Sequence, residues 1–348
     1  MTLTAAEQHL PAPSVDPDKG GPRRSGGLAV YALRRLVTAM GTMIFVLVFN
    51  FFLFRMLPGD PIALYTRGRN MDQEQLRELR RQLNKPIFEQ FVDYLKNPFS
   101  TGVDSTRFSR PVWDVIGDSV WPTVVLLGTS TVLATVIGVA IGIKAGWGRD
   151  GTFDRASTGV TLTLYAMPEF WLGMVLLILF STGIGPFPGI FPSGGTLTPG
   201  VDQWSLEGIL DQLWHLCLPA ATLTLGYLAE YSLVMRSSLV DERGQDYLMT
   251  ARAKGLMDKF VRRRHAVPNA LLPTITLIFL NIGFIVSGAI TVETVFSWPG
   301  LGLLSYEALR GPDVPLLQAI FLMFSISVVV ANAIADVVVA AVDPRVRT

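Results

Sequence analysis

Long apolar runs separated by charged segments dominate the pattern of this chain. Residues 36–54, 120–143, 266–292 and 314–335 carry no charged side chain at all. Two further runs carry one each: 156–184 holds Glu169, and 215–235 holds Glu230. A helix needs about 20 apolar residues to cross a bilayer, and each of these runs is near or above that length. The pattern therefore predicts an all-α membrane protein with six transmembrane helices. The first run is too long for the apolar core of a signal peptide, and no small-residue cleavage site follows it.

The polar remainder divides the chain. Residues 1–28 are rich in Pro and Gly without an apolar face, which predicts a disordered tail. A first helix is expected over 29–57 and a cap segment over 58–119. A five-helix core is expected over 120–342, including a hydrophilic loop at 237–265, with a short end at 343–348. Within the cap segment, Leu76, Leu79 and Leu83 recur at helical spacing with Glu and Arg between them, which predicts a helical cap. Residues 185–200 hold four prolines, which exclude a continuous helix there.

Composition sharpens this reading. Half the residues are hydrophobic, 16% are charged and the mean hydropathy is +0.41. Water-soluble domains carry about 25% charged residues, so lipid must cover much of this surface. The single cysteine, Cys217, excludes an intrachain disulfide, and three histidines give no metal-ligand spacing. Lys and Arg set the orientation. With the N-terminus inside, the inner segments hold 18 of them. The long segment 58–119 holds nine beside nine acidic residues. Both termini are expected in the cytoplasm.

The longest charged interruption in the membrane-spanning half is 236–265. Residues 245–254 read as a short helix that Gly255 can end by adopting positive φ. Leu256, Met257, Phe260 and Val261 then offer an apolar side beside Lys259, Arg262, Arg263 and Arg264. Such a helix suits a groove on a partner protein, and equally a loop lying on anionic lipid. No G-x-x-x-x-G-K-[ST] motif occurs, so no nucleotide site of that kind is predicted.

Glu169 is the charge nearest a membrane midplane, where ionisation costs at least about 2.5 kcal/mol. It either meets a cationic part of a solute or is paired or protonated. Glu230 is expected to pair with Arg236, Trp298 to anchor at the membrane interface, and Asp60 to cap a turn. The prolines Pro219, Pro268 and Pro273 are either flexing points or tolerated kinks.

Several of these motifs resemble one family. Asp246-Tyr247-Leu248-Met249-Thr250-Ala251-Arg252-Ala253-Lys254-Gly255-Leu256, with Pro268 thirteen residues after Gly255, resembles the "EAA" loop of bacterial ABC-importer permeases. Met249 stands where that loop has its glutamate, as in the peptide-type subfamily. Arg55-Met56-Leu57-Pro58-Gly59-Asp60-Pro61 resembles the signature that closes the first span of B-type dipeptide/oligopeptide permeases. Pro168-Glu169-Phe170-Trp171-Leu172-Gly173, Val292-Glu293-Thr294-Val295-Phe296-Ser297-Trp298-Pro299-Gly300 and Asp343-Pro344-Arg345 follow in the same order.

The resemblance implies a type I ABC-importer permease fold with a helical extracytoplasmic segment between helices 1 and 2. It implies a permease subunit for dipeptides or oligopeptides in the bacterial inner membrane, itself neither enzyme nor cofactor-binding. Oligosaccharides, nickel chelates and glutathione are alternative solutes. The implied partners are a C-type permease, two cytoplasmic ATPase subunits that bind ATP, and an extracytoplasmic solute-binding protein. Asp246, Tyr247, Ala251, Arg252, Ala253, Lys254, Gly255, Leu256, Phe260 and Pro268 would form the ATPase-coupling loop. Glu169, Glu293, Trp298 and Asp60 are candidates for the translocation path or gate. A secondary transporter is the competing class, disfavoured by few intramembrane ionisable groups and no evident inverted repeat.

Overall fold

The computed structural model describes residues 28–56, 62, 73–96, 104–184, 186–284 and 289–342. The expectations for the tail, for Asp60 and for 343–348 lie outside the described residues. The chain begins with α1 (Leu28–Arg55), two short helices α2 (Gln73–Leu83) and α3 (Ile87–Lys96), and α4 (Val112–Trp147). Then come α5 (Thr152–Ala166), α6 (Glu169–Leu177) and α7 (Leu206–Glu242). The remainder holds α8 (Asp246–Ala253), α9 (Asp258–Val261), α10 (Val267–Phe284), α11 (Ile290–Val295), α12 (Leu301–Arg310) and α13 (Val314–Val342). A two-residue antiparallel pairing of Gly183–Ile184 with Phe187–Pro188 is the one strand pairing among the described residues.

Among the described residues, three helices are long and apolar enough to cross a membrane: Val30–Arg55, Val112–Trp147 and Val314–Ala340. The bent pair Thr152–Ala166 and Glu169–Thr182 makes a fourth if taken as one span. This pair corrects the reading of 156–184 as a single straight helix, because its halves meet at 100°. The cause is local. Pro168 has no N–H to donate and pushes Met167 to an extended conformation, φ −81° and ψ 132°, so α5 must stop. Helix α7 outruns its apolar stretch at both ends, and Ser205 caps it by accepting from the Gly208 N–H at 2.9 Å. A Ser at this position satisfies one of the orphan amides of the first turn.

Glycine sets the tightest seam. Gly138, Gly142 and Gly146 of α4 are buried against α7. A Cβ on Gly138 would lie 2.7 Å from the Leu228 carbonyl oxygen, and one on Gly142 would lie 2.7 Å from that of Ser232. On Gly146 it would lie 2.8 Å from the Arg236 carbonyl oxygen. Both sets of positions rise together, so the helices run parallel. Small residues let membrane helices approach backbone to backbone in this way.

At one end of the bundle, Phe54, Ile116, Leu301, Leu316 and Ile320 join α1, α4, α12 and α13 in one core. At the other end, Met235, Leu239, Leu248, Val261, Ala266 and Ala270 join α7 and α10 to the 243–266 segment. Between α1 and α13 lies an apolar groove of about 740 Å³, lined by Leu36, Met40, Val330, Ala333 and Ile334 among others. Arg35 meets Asp336 at 3.3 Å across the same pair of helices.

Candidate coupling loop and buried carboxylates

The loop after α7 has a buried root and an exposed rim. In α8, Leu248 and Ala251 turn inward, while Tyr247, Met249, Arg252 and Ala253 are exposed, as is Lys254 just past its end. Asp246 starts the helix, exposed, where a carboxylate complements the helix dipole. Gly255 ends it with φ +79°, the left-handed conformation a Cβ disfavours. Leu256, Met257 and Phe260 are exposed, but Val261 is fully buried. The apolar side expected of this stretch is therefore split between rim and root.

The loop is tied to the helices around it. The Tyr247 hydroxyl donates to Glu242 and to the His265 carbonyl at 3.2 Å, and accepts from Asn269 Nδ2 at 2.8 Å. Burial pushes the Tyr247 hydroxyl pKa up, and the Glu242 bond adds to this. A wide turn at Arg262–Ala266 precedes Val267 and Pro268, and α10 then runs on through Pro273. Pro268 is exposed, just past the wide turn that joins α9 to α10.

From α4, the Trp147 Nε1–H donates to Asp258 Oδ2 at 2.7 Å. The guanidinium groups of Arg243 and Arg252 each lie 5.6 Å from the Trp147 ring centroid. Such placements are favourable because the ring face is electronegative.

Charged pairing differs from expectation. Arg236 does not pair with Glu230; its Nε and Nη2 donate to Asp154 at 2.5 and 2.8 Å. Asp154, 2% exposed, also accepts from the Asp150 N–H and the Thr158 hydroxyl. This two-pronged fit is the geometry in which guanidinium and carboxylate bind best. It joins the start of α5 to α7. Glu230 instead accepts from Asn281 Nδ2 at 3.4 Å.

Glu169 opens α6, half-buried, with its carboxylate over Gly226 of α7: a Cβ there would lie 3.4 Å from Oε1. Among the described residues no hydrogen bond or ion pair reaches Glu169. Glu293 is fully buried and well satisfied, accepting from the Thr123 hydroxyl at 2.9 Å, Gly302 N–H at 2.7 Å and Leu303 N–H at 3.0 Å. It thus holds the first turn of α12 against α4. Trp298 is 3% exposed and donates from Nε1 to the Pro122 carbonyl at 2.9 Å. Its expected place as an interfacial anchor is corrected: it packs in the core with Leu126 and Phe296. Glu293 and Trp298 belong to one buried joint between α4 and the α11–α12 segment.

Sequence reasoning missed Trp147, Asp154 and Asp313. Asp313 is fully buried and accepts from the Ser105 hydroxyl at 2.5 Å and from the Arg107 and Leu316 amides. The one available signal for Trp147 and Asp154 was their position in the short basic segment that ends the second apolar run. Among the described residues, no three His, Cys, Asp or Glu side chains are placed to hold a metal ion.

Residues 138–348 match the model of the binding-protein-dependent transport system inner membrane component, and residues 28–129 match that of the N-terminal part of such membrane components. The chain belongs to this family of transport-system membrane components. Within it, the chain is an ABC-importer permease subunit of the dipeptide/oligopeptide type, and the permease is not itself catalytic. Relatives include the glutathione transport system permease protein GsiC of Escherichia coli strain K12 and its counterpart in Shigella dysenteriae serotype 1. Each is 35% identical over 320 residues, covering 91% of this chain and 98% of the relative. A chain of the MetNI methionine ABC transporter, solved in inward-facing conformations, shares the fold. Its TM-score is 0.54 at 18% identity, covering 68% of this chain and all of that one. Membership in this family makes the chain an inner-membrane protein that works with ATPase, permease and binding-protein partners.

Proposed function

We propose that the chain forms half of a translocation pathway for short peptides, delivered by an extracytoplasmic solute-binding protein and driven by cytoplasmic ATPases. Its companions are a C-type permease and two ATPase subunits, which bind and hydrolyse the ATP. Six helices cross the membrane, with α7 and α10 completing the set and both termini in the cytoplasm. The cap segment faces the binding protein's side. Glutathione is the leading candidate among the solutes, because it is a tripeptide and the 35% identical relatives carry its name.

One observation carries the coupling role of the loop. It presents Met249, Leu256, Met257 and Phe260 to solvent on a root in which Leu248 and Val261 are fully buried. An exposed apolar rim on a fixed base is what a helix needs to seat in a partner's groove. Asp246, Tyr247, Arg252 and Lys254 border that rim. Pro268 and Pro273 lie where α10 leaves the loop, so a push on the loop reaches α10 directly. The unpaired carboxylate of Glu169 supports a second assignment: it meets the ammonium group of the passing peptide.

The test is reconstitution of the four-subunit complex in liposomes with its binding protein. Uptake of labelled glutathione or dipeptide should require ATP on the side that holds the loop. Phe260→Asp should lower the affinity of the ATPase subunit about tenfold, by placing a charge in an apolar contact. Glu169→Gln should slow free peptides and spare N-acetylated ones. Uptake that proceeds without ATP, or an ATPase that binds Phe260→Asp as tightly as the natural subunit, would sink the reading.

A further inference from the structure

The loop's two covalent attachments are α7 and α10, yet it also grips α4. Trp147 is the last residue of α4 and precedes Asp258, its hydrogen-bond partner in the loop, by 111 residues. It combines three contacts. Its indole N–H donates to Asp258 at 2.7 Å, and its ring lies 5.6 Å from both Arg243 and Arg252. Arg252 in turn meets Asp258 at 3.5 Å, and Arg243 Nη1 donates to the Gly146 carbonyl at 3.3 Å. Trp147 also packs on the core that buries Leu248 and Val261.

Just above this point the glycine seam joins α4 to α7, and the Asp154–Arg236 pair joins α5 to α7. We propose that Trp147 is a positioning residue for coupling: it clasps the loop to α4, so that a push on the loop moves α4, α5 and α7 as one block. Without the clasp, α8 and α9 would rest on α4 through the apolar core around Leu248 and Val261 alone and could tilt when pushed. The loop would then absorb part of the stroke instead of passing it on. This inference rests on the coupling role proposed for the loop and adds a residue outside it.

The experiment measures solute imported per ATP hydrolysed by the reconstituted complex, with complex yield and basal ATP hydrolysis as controls. Trp147→Leu removes the ring and the donor. It should lower the ratio about fivefold at unchanged yield and unchanged basal hydrolysis. Trp147→Phe keeps a ring face for the two guanidiniums and loses only the donor, so it should recover most of the ratio, to within about twofold of the natural protein. Asp258→Ala removes the acceptor and should match Trp147→Phe, and the double variant should be no worse than either alone. A wild-type ratio in Trp147→Leu overturns the clasp while leaving the permease reading intact. Loss of yield in Trp147→Leu with a wild-type ratio in Asp258→Ala also overturns it, since Trp147 then serves folding alone. A natural complex that hydrolyses ATP without import strikes at the permease reading itself.

Discussion

The seam between α4 and α7 and the seam between α1 and α13 join pairs of long apolar helices by opposite means. The first brings backbones together: three glycines at four-residue intervals leave no room for a Cβ. The second leaves a groove ringed by Leu, Met, Val and Ile side chains at one end, with a half-exposed Arg35–Asp336 pair there and an Asn50–Gln318 hydrogen bond further along. In lipid, apolar burial between helices gains little, because acyl chains are as apolar as leucine. Close van der Waals packing and polar bonds decide which seams are rigid. The α4–α7 seam has both, and it leads straight to the loop. The α1–α13 seam has both where Phe54 and Asn50 meet α13, but little of either along its groove, which lipid chains can fill.

That contrast can be broken by substitution. The largest effect is expected at the loop end of the rigid region. Arg236→Ala would leave the buried Asp154 carboxylate without its counter-charge, at a cost of about 3–5 kcal/mol. Thermal unfolding of the purified complex should report it, and Arg236→Lys should restore only part, since an ammonium cannot make both bonds in one plane. A smaller loss, about 1–3 kcal/mol, is expected for Gly142→Ala, because one methyl forces the two helices apart. An unchanged melting temperature there would mean that the seam is looser than its geometry. The smallest effect belongs to the open seam. Ala333→Leu adds bulk to the groove and should change stability by less than about 0.5 kcal/mol. A loss as large as that of Gly142→Ala would erase the distinction.

Much of the helical content was legible in the chain, because long uncharged runs have few alternatives in lipid. The stretches around 36–54, 120–143 and 314–335 each lie inside one long helix. What local patterns do not reveal is which distant residues meet. Glu230 sits six residues from Arg236 and was the obvious partner, yet Asp154, 82 residues away, fits its guanidinium better. Trp298 has the composition of an interfacial anchor, but the Pro122 carbonyl waiting inside the core claims it. The break at Pro168 was visible as a proline and a glutamate in an apolar run, and the run's length argued for continuity over it. The loop's helix and its glycine stop were legible because both are local effects. The inward turn of Val261 was not, since it depends on Met235 and Ala266 beneath it.

The glycine ladder has a consequence for how the two helices can move. Its rungs recur every four residues, about 6 Å of helix rise. Any shorter slide of α4 along α7 would drive a side chain where only hydrogen fits. The contact therefore behaves as a detent: the pair stays in step through a transport cycle, or it jumps by a whole notch.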